Sequence, residues 1–75
     1  MLTIADIAQA AQELGIANAE RDVANGIEIT PEESSSRTML GMLFDGAPDE
    51  LYKDAGNRVT VGVEYRHGYA LGRAV

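Results

Sequence analysis

Apolar residues recur at Ile4, Ile7, Ala8, Ala11 and Leu14, the three- and four-residue spacing that lines one face of a helix. Thr3 and Asp6 have the spacing of a capping box, Leu2 can staple against Ile7, and Gly15-Ile16 suits a left-handed C-terminal cap. The pattern therefore predicts a first helix over 4–14. Asn18 can cap a second, short helix over 19–24 that stops at Asn25-Gly26. That dipeptide is also a hairpin turn, and Ile27, Glu28, Ile29 and Thr30 alternate as a strand does, so residues 27–30 are an alternative short third strand.

Thr30, Pro31, Glu32 and Glu33 combine an N-cap, a proline at the first helical position and acids facing the helix dipole. They predict a helix over 31–44, with Glu33 and Arg37 four apart and Met39, Leu40, Leu43 and Phe44 on its apolar side. Pro48, Asp49 and Glu50 open a further short helix over 48–55. Past Gly56-Asn57 the period changes. Val59, Val61, Val63 and Tyr65 alternate with Arg58, Thr60, Gly62 and Glu64, which reads as a half-buried strand over 58–65. A turn at Arg66, His67 and Gly68 would return the chain as a strand over 69–75, pairing Tyr65 with Tyr69 and Gly62 with Gly72. The expected fold is a single α+β domain spanning 1–75, with N-terminal helices packed on a C-terminal antiparallel β-hairpin.

A chain of 75 residues has a thin core. A single core of this size supplies roughly 3–5 kcal/mol, and small domains often add disulfides, a metal or a partner. With no cysteine and one histidine, the sequence offers no disulfide and no soft-ligand zinc set, so no cofactor or metal is expected. A two-stranded hairpin is marginal by itself, and its unpaired edges offer backbone groups to another chain. A protein partner or a homo-oligomer is the expectation that follows.

Charge adds a direction to this picture. The net charge is −6, made of −8 over residues 1–50 and +2 over the remainder. That balance argues against nucleic-acid binding through phosphates, which needs clustered Lys and Arg. No apolar run suits a membrane span and the N-terminus lacks a signal-peptide pattern, so a cytoplasmic protein is expected, in the host cytoplasm or a virion if a phage encodes it.

Candidate chemistry is sparse. His67 has no second ligand or nucleophile in its vicinity, Ser34 to Ser36 open a helix in acidic surroundings, and the pairs Glu32-Glu33 and Asp49-Glu50 are explained by helix dipoles. Glycines 56, 62, 68 and 72 match neither a phosphate loop nor a dinucleotide fingerprint. An enzyme is not expected. The helices around Gly15 loosely suggest a helix-turn-helix, but the second would offer Asn18, Glu20, Arg21 and Asp22, two of them acids that repel phosphates. The expectation is a small acidic interaction protein, either an inhibitor or adaptor of the kind phages and mobile elements encode, or a minor subunit of an assembly such as a virion. A DNA-binding regulator is the alternative. Residues Gly62, Gly72, Tyr65, Tyr69, Arg66 and Arg73 on the hairpin, with Glu32 and Glu33 on the acidic helical surface, are the expected partner contacts.

Overall fold

The computed structural model describes residues 1–74. Helix α1 starts where the cap predicts. The Asp6 amide donates to Thr3 Oγ1 at 3.2 Å while the Thr3 amide donates to Asp6 Oδ2 at 2.9 Å. It does not stop at Gly15. One helix runs Ile4–Ala24 and ends at Asn25, followed by Gly26 at φ 70°, so the two helices expected over 4–14 and 19–24 are a single element.

The largest correction falls in the last third. Residues Ala55–Ala74 form one helix, α4, and the described residues contain no strand. The β-hairpin over 58–65 and 69–75 is therefore absent, Val75 lying outside the described residues, and the α+β class gives way to an all-helical fold. Asp54 caps α4, its Oδ1 accepting from the amides of Gly56 at 2.8 Å and Asn57 at 3.3 Å. Ordinary helix propensity disfavours four glycines by about 1 kcal/mol each. Packing decides otherwise.

Helices α1 and α4 lie against each other backbone to backbone. A β-carbon built on Gly68 would stand 2.8 Å from Gln12 C and 2.9 Å from Gln12 Cα, with the Gln12 carbonyl oxygen closer still. One built on Gly72 would stand 2.8 Å from Ile16 O and 2.7 Å from Ala19 Cβ. From the other side, one on Gly15 would meet Tyr69 N at 2.7 Å and the Tyr65 carbonyl oxygen. Four residues forward on α4 is thus four residues forward on α1, so the two helices run parallel. Small residues at four-residue spacing, Ala11, Gly15 and Ala19 on one helix and Gly68 and Gly72 on the other, permit this approach.

A parallel pair needs a return segment along its length. Residues 27–30, the alternative third strand, are irregular, and helix α2 occupies Pro31–Arg37, with Thr30 Oγ1 accepting from the Glu33 amide at 3.1 Å. The helix expected to reach Phe44 breaks at Thr38, whose backbone is extended and whose hydroxyl donates to the Ser34 carbonyl at 2.9 Å. A 3-10 helix then covers Leu40–Phe44, and α3 covers Asp49–Lys53 within the expected 48–55. The core consists of Ile7, Ala11, Ala19, Phe44, Val61, Tyr65 and Tyr69. The molecule measures 38 × 20 × 15 Å, long because a 21-residue helix alone is roughly 31 Å.

Candidate functional site

Helix formation moves the expected contact residues off the surface. Gly62, Tyr65, Tyr69 and Gly72 are buried, Arg66 and Arg73 are half-buried, and only Glu32 and Glu33 are exposed, in the first turn of α2. The smooth glycine face of a hairpin does not exist here. Gly72 instead admits α1, and Gly62 faces the Arg66 guanidinium, whose Nη1 would lie 3.1 Å from an added β-carbon. Glu33 forms the expected i to i+4 pair with Arg37, at 2.9 Å.

The two buried tyrosines organise the interior polar groups. Tyr65 OH has three partners: Asn18 Nδ2 at 2.8 Å, Ser34 Oγ at 2.7 Å and Thr38 Oγ1 at 3.1 Å. Directions follow from proton counting. Thr38 has one hydroxyl proton and gives it to the Ser34 carbonyl, so Tyr65 donates to Thr38 and accepts from Asn18 and Ser34. One phenol therefore ties α1, α2 and α4 together. Four residues on, Tyr69 OH donates to Asp22 Oδ2 at 2.7 Å and accepts from Arg73 Nη1 at 3.1 Å. The same Arg73 nitrogen donates to the Ile27 carbonyl at 2.9 Å, which fastens the start of the return segment to the end of α4.

This network closes several chemical options. Asn18 and Asp22, which a recognition helix would have presented to DNA, point inward at Tyr65 and Tyr69, and no turn interrupts α1 at Gly15. Ser34 is buried with its hydroxyl on Tyr65. Among the described residues no buried side-chain nitrogen or oxygen lacks a hydrogen-bond partner, and no group of three metal-binding side chains converges. Burial pushes the Tyr69 phenol above its ordinary pKa, and the bond to the Asp22 carboxylate adds to the rise.

Two surface features remain. The first is the outer side of α4. Val59, Val63, Ala70, Leu71 and Ala74 are all exposed, and at 100° per residue they fall within about a third of the helix circumference, sharing it with Thr60 and His67. Val59 is 63% exposed, and no carboxylate interrupts this face. No periodicity argument based on a strand could have found it, because alternation assigned Val59 and Val63 to the core side. The second is an open pocket of about 250 Å³ lined by Gly41, Phe44, Asp45, Asp49 and Tyr52. Among the described residues no helix is long and apolar enough to cross a membrane. Comparison of the chain with protein-family models, with curated proteins and with solved structures finds no match.

Proposed function

We propose that this protein is a non-catalytic binding module that receives a basic, amphipathic helical segment of a partner protein on the outer face of α4. The observation that carries the reading is the apolar face of Val59, Val63, Ala70, Leu71 and Ala74, which also holds Thr60 and His67 but no carboxylate, on a chain whose net charge is −6. Apolar side chains left in water at helical spacing suit a second helix laid along them. The charge selects among such helices. The net charge of −6 attracts at long range a segment with Lys or Arg flanking its apolar stripe, while beside the face itself stand Glu64 at one edge and Arg66 and Arg73 at the other.

Size supports a segment over a large permanent interface. From Val59 to Ala74 the face is about 22 Å long and roughly 10 Å wide, far below the ~800 Å² per partner typical of stable complexes. A weak, transient complex follows. A second copy of the chain would supply a matching apolar face, but each copy brings −6, and such net charge favours the monomer. An inhibitor or adaptor and a subunit of a larger assembly both fit this mode, since they differ only in what the bound segment belongs to.

The test is titration of the ¹⁵N-labelled protein with a basic amphipathic helical peptide and with its charge-reversed counterpart. Saturable shifts along Val59 to Ala74 with the basic peptide alone, lost in Val63→Asp, are expected. Shifts elsewhere, or indifference to Val63→Asp, defeat the proposal. Sedimentation equilibrium of the free protein tests the second reading, which predicts a dimer that Val63→Asp dissolves.

A further inference from the structure

We infer that His67 makes docking on the outer face of α4 sensitive to pH: the face takes its helical segment while the imidazole is neutral and releases it when the imidazole gains a proton. This control belongs to the docking face proposed above and has nothing to regulate without it. At 100° per residue the face spans about 120° of the helix, from Val59 to Leu71, and His67 stands at about 80°, with Val63 one turn before it and Leu71 one turn after. A segment laid along the face therefore covers the imidazole. The other polar side chain on the face, Thr60, is already occupied, since its hydroxyl donates to the Gly56 carbonyl at 2.9 Å. His67 is exposed, and among the described residues it has neither an ion-pair nor a side-chain hydrogen-bond partner.

Histidine is the side-chain type that ordinarily changes charge between about pH 5 and pH 8, and the chain has a single one. Apolar side chains can cover a neutral imidazole at modest cost, whereas an imidazolium loses its water and needs a counter-charge in return. The surroundings do not provide one inside the face. Glu64 stands at one edge, and the exposed carboxylates of the adjoining α1 are Asp6, Glu13 and Glu20, none of them paired with His67. At the other edge Arg66 is tied to Ser35 on α2 and Arg73 to Tyr69 and the Ile27 carbonyl, while Glu33 and Arg37 of α2 pair with each other. The charges of α3 adjoin the start of α4, about 18 Å along the helix from His67. A basic segment adds repulsion of its own to the protonated ring. One proton that must leave before docking raises the dissociation constant about tenfold for each pH unit below the midpoint of the free imidazole, and leaves it constant above.

The experiment titrates the full-length ¹⁵N-labelled chain with one basic amphipathic helical peptide, capped at both ends and free of histidine, at about pH 7.5 and about pH 5.5. The dissociation constant should be about tenfold larger at the lower pH. In His67→Gln, whose side chain does not titrate, it should be the same at both. Imidazole proton–carbon spectra read the midpoint of His67 directly, and it should fall when the peptide saturates the face. Glu64→Gln should keep the wild-type pH dependence. His67 is exposed and Glu64 half-buried, so both variants keep the fold, which circular dichroism checks. A pH dependence that survives in His67→Gln or vanishes in Glu64→Gln overturns the inference. So does equal wild-type affinity at the two pH values with saturable shifts along Val59 to Ala74, a result that leaves the docking face standing. Absence of those shifts at both pH values removes the docking face itself, and this control with it.

Discussion

Gly68 and Gly62 are both buried, six residues apart in α4, and an added methyl group should act on them with opposite sign. In a helix interior Gly→Ala gains about 1 kcal/mol from propensity alone. At Gly62 the new carbon meets only the end of the Arg66 side chain, which can swing aside, so most of that gain survives. At Gly68 it meets the backbone of Gln12 inside 3 Å, and a helix backbone cannot rotate away. The two helices must separate by several tenths of an ångström, and a gap of 0.5–1 Å forfeits roughly a quarter to a half of the dispersion energy across it. Overpacking of this kind costs about 1–3 kcal/mol, and with unyielding backbone on both sides the upper part of that range applies. Gly68→Ala should therefore destabilise by ~2 kcal/mol net of propensity, a large share of the roughly 3–5 kcal/mol such a core supplies. Thermal unfolding followed by far-ultraviolet circular dichroism reads the difference directly. At about 4–8 °C per kcal/mol, Tm should fall by roughly 8–16 °C in Gly68→Ala and rise by a few degrees in Gly62→Ala. Shifts of the same sign at both positions would refute the parallel, backbone-to-backbone packing.

Tyr65→Phe should destabilise by about 1–3 kcal/mol, because it strands Asn18, Ser34 and Thr38 polar atoms around an apolar ring. Urea denaturation measures it, and a change under ~0.5 kcal/mol would mean that water replaces the phenol. Tyr69 predicts an alkaline limit to stability. Its pKa is raised in the folded chain by burial and by Asp22, so the neutral phenol favours the native state fully below the ordinary value of about 10, and this contribution disappears as pH climbs from there through the folded value. Spectrophotometric titration should show one phenol ionising only as the helices melt; its ionisation with the ellipticity intact would exclude the Asp22 contact.

How much of this was legible beforehand depended on how local the signal was. The helix starts at Thr3 and Thr30 are legible in the sequence, because a cap is settled by a side chain and an amide three residues away. The Glu33 and Arg37 pair was legible for the same reason. The two longest helices are hidden by their glycines. The sequence alone predicts a helix end at Gly15 and a turn at Gly68, since nothing within a few residues of either repays its conformational freedom. The partner that does so lies some fifty residues away in the chain. A usable sign was present all the same: Ala11, Gly15 and Ala19 repeat every four residues, as do Gly68 and Gly72, and small side chains at that spacing mark a helix seam.

Val59 to Tyr65 illustrates the same division. Alternating β-branched residues satisfy a strand, yet Val61, Tyr65, Gly68, Tyr69 and Gly72 also satisfy a helix, and local preference cannot separate the two periods. The amino-acid order alone determined where α1, α2 and α3 begin, the acidic balance and the absence of thiol chemistry. Tertiary structure decided everything that hung on close approach: the parallel pairing, the inward turn of Asn18 and Asp22 toward two phenols, and with these the apolar side of α4 left facing water. The physical reason is that a glycine has no side chain to announce its neighbour, and its value to a fold exists only when another backbone arrives.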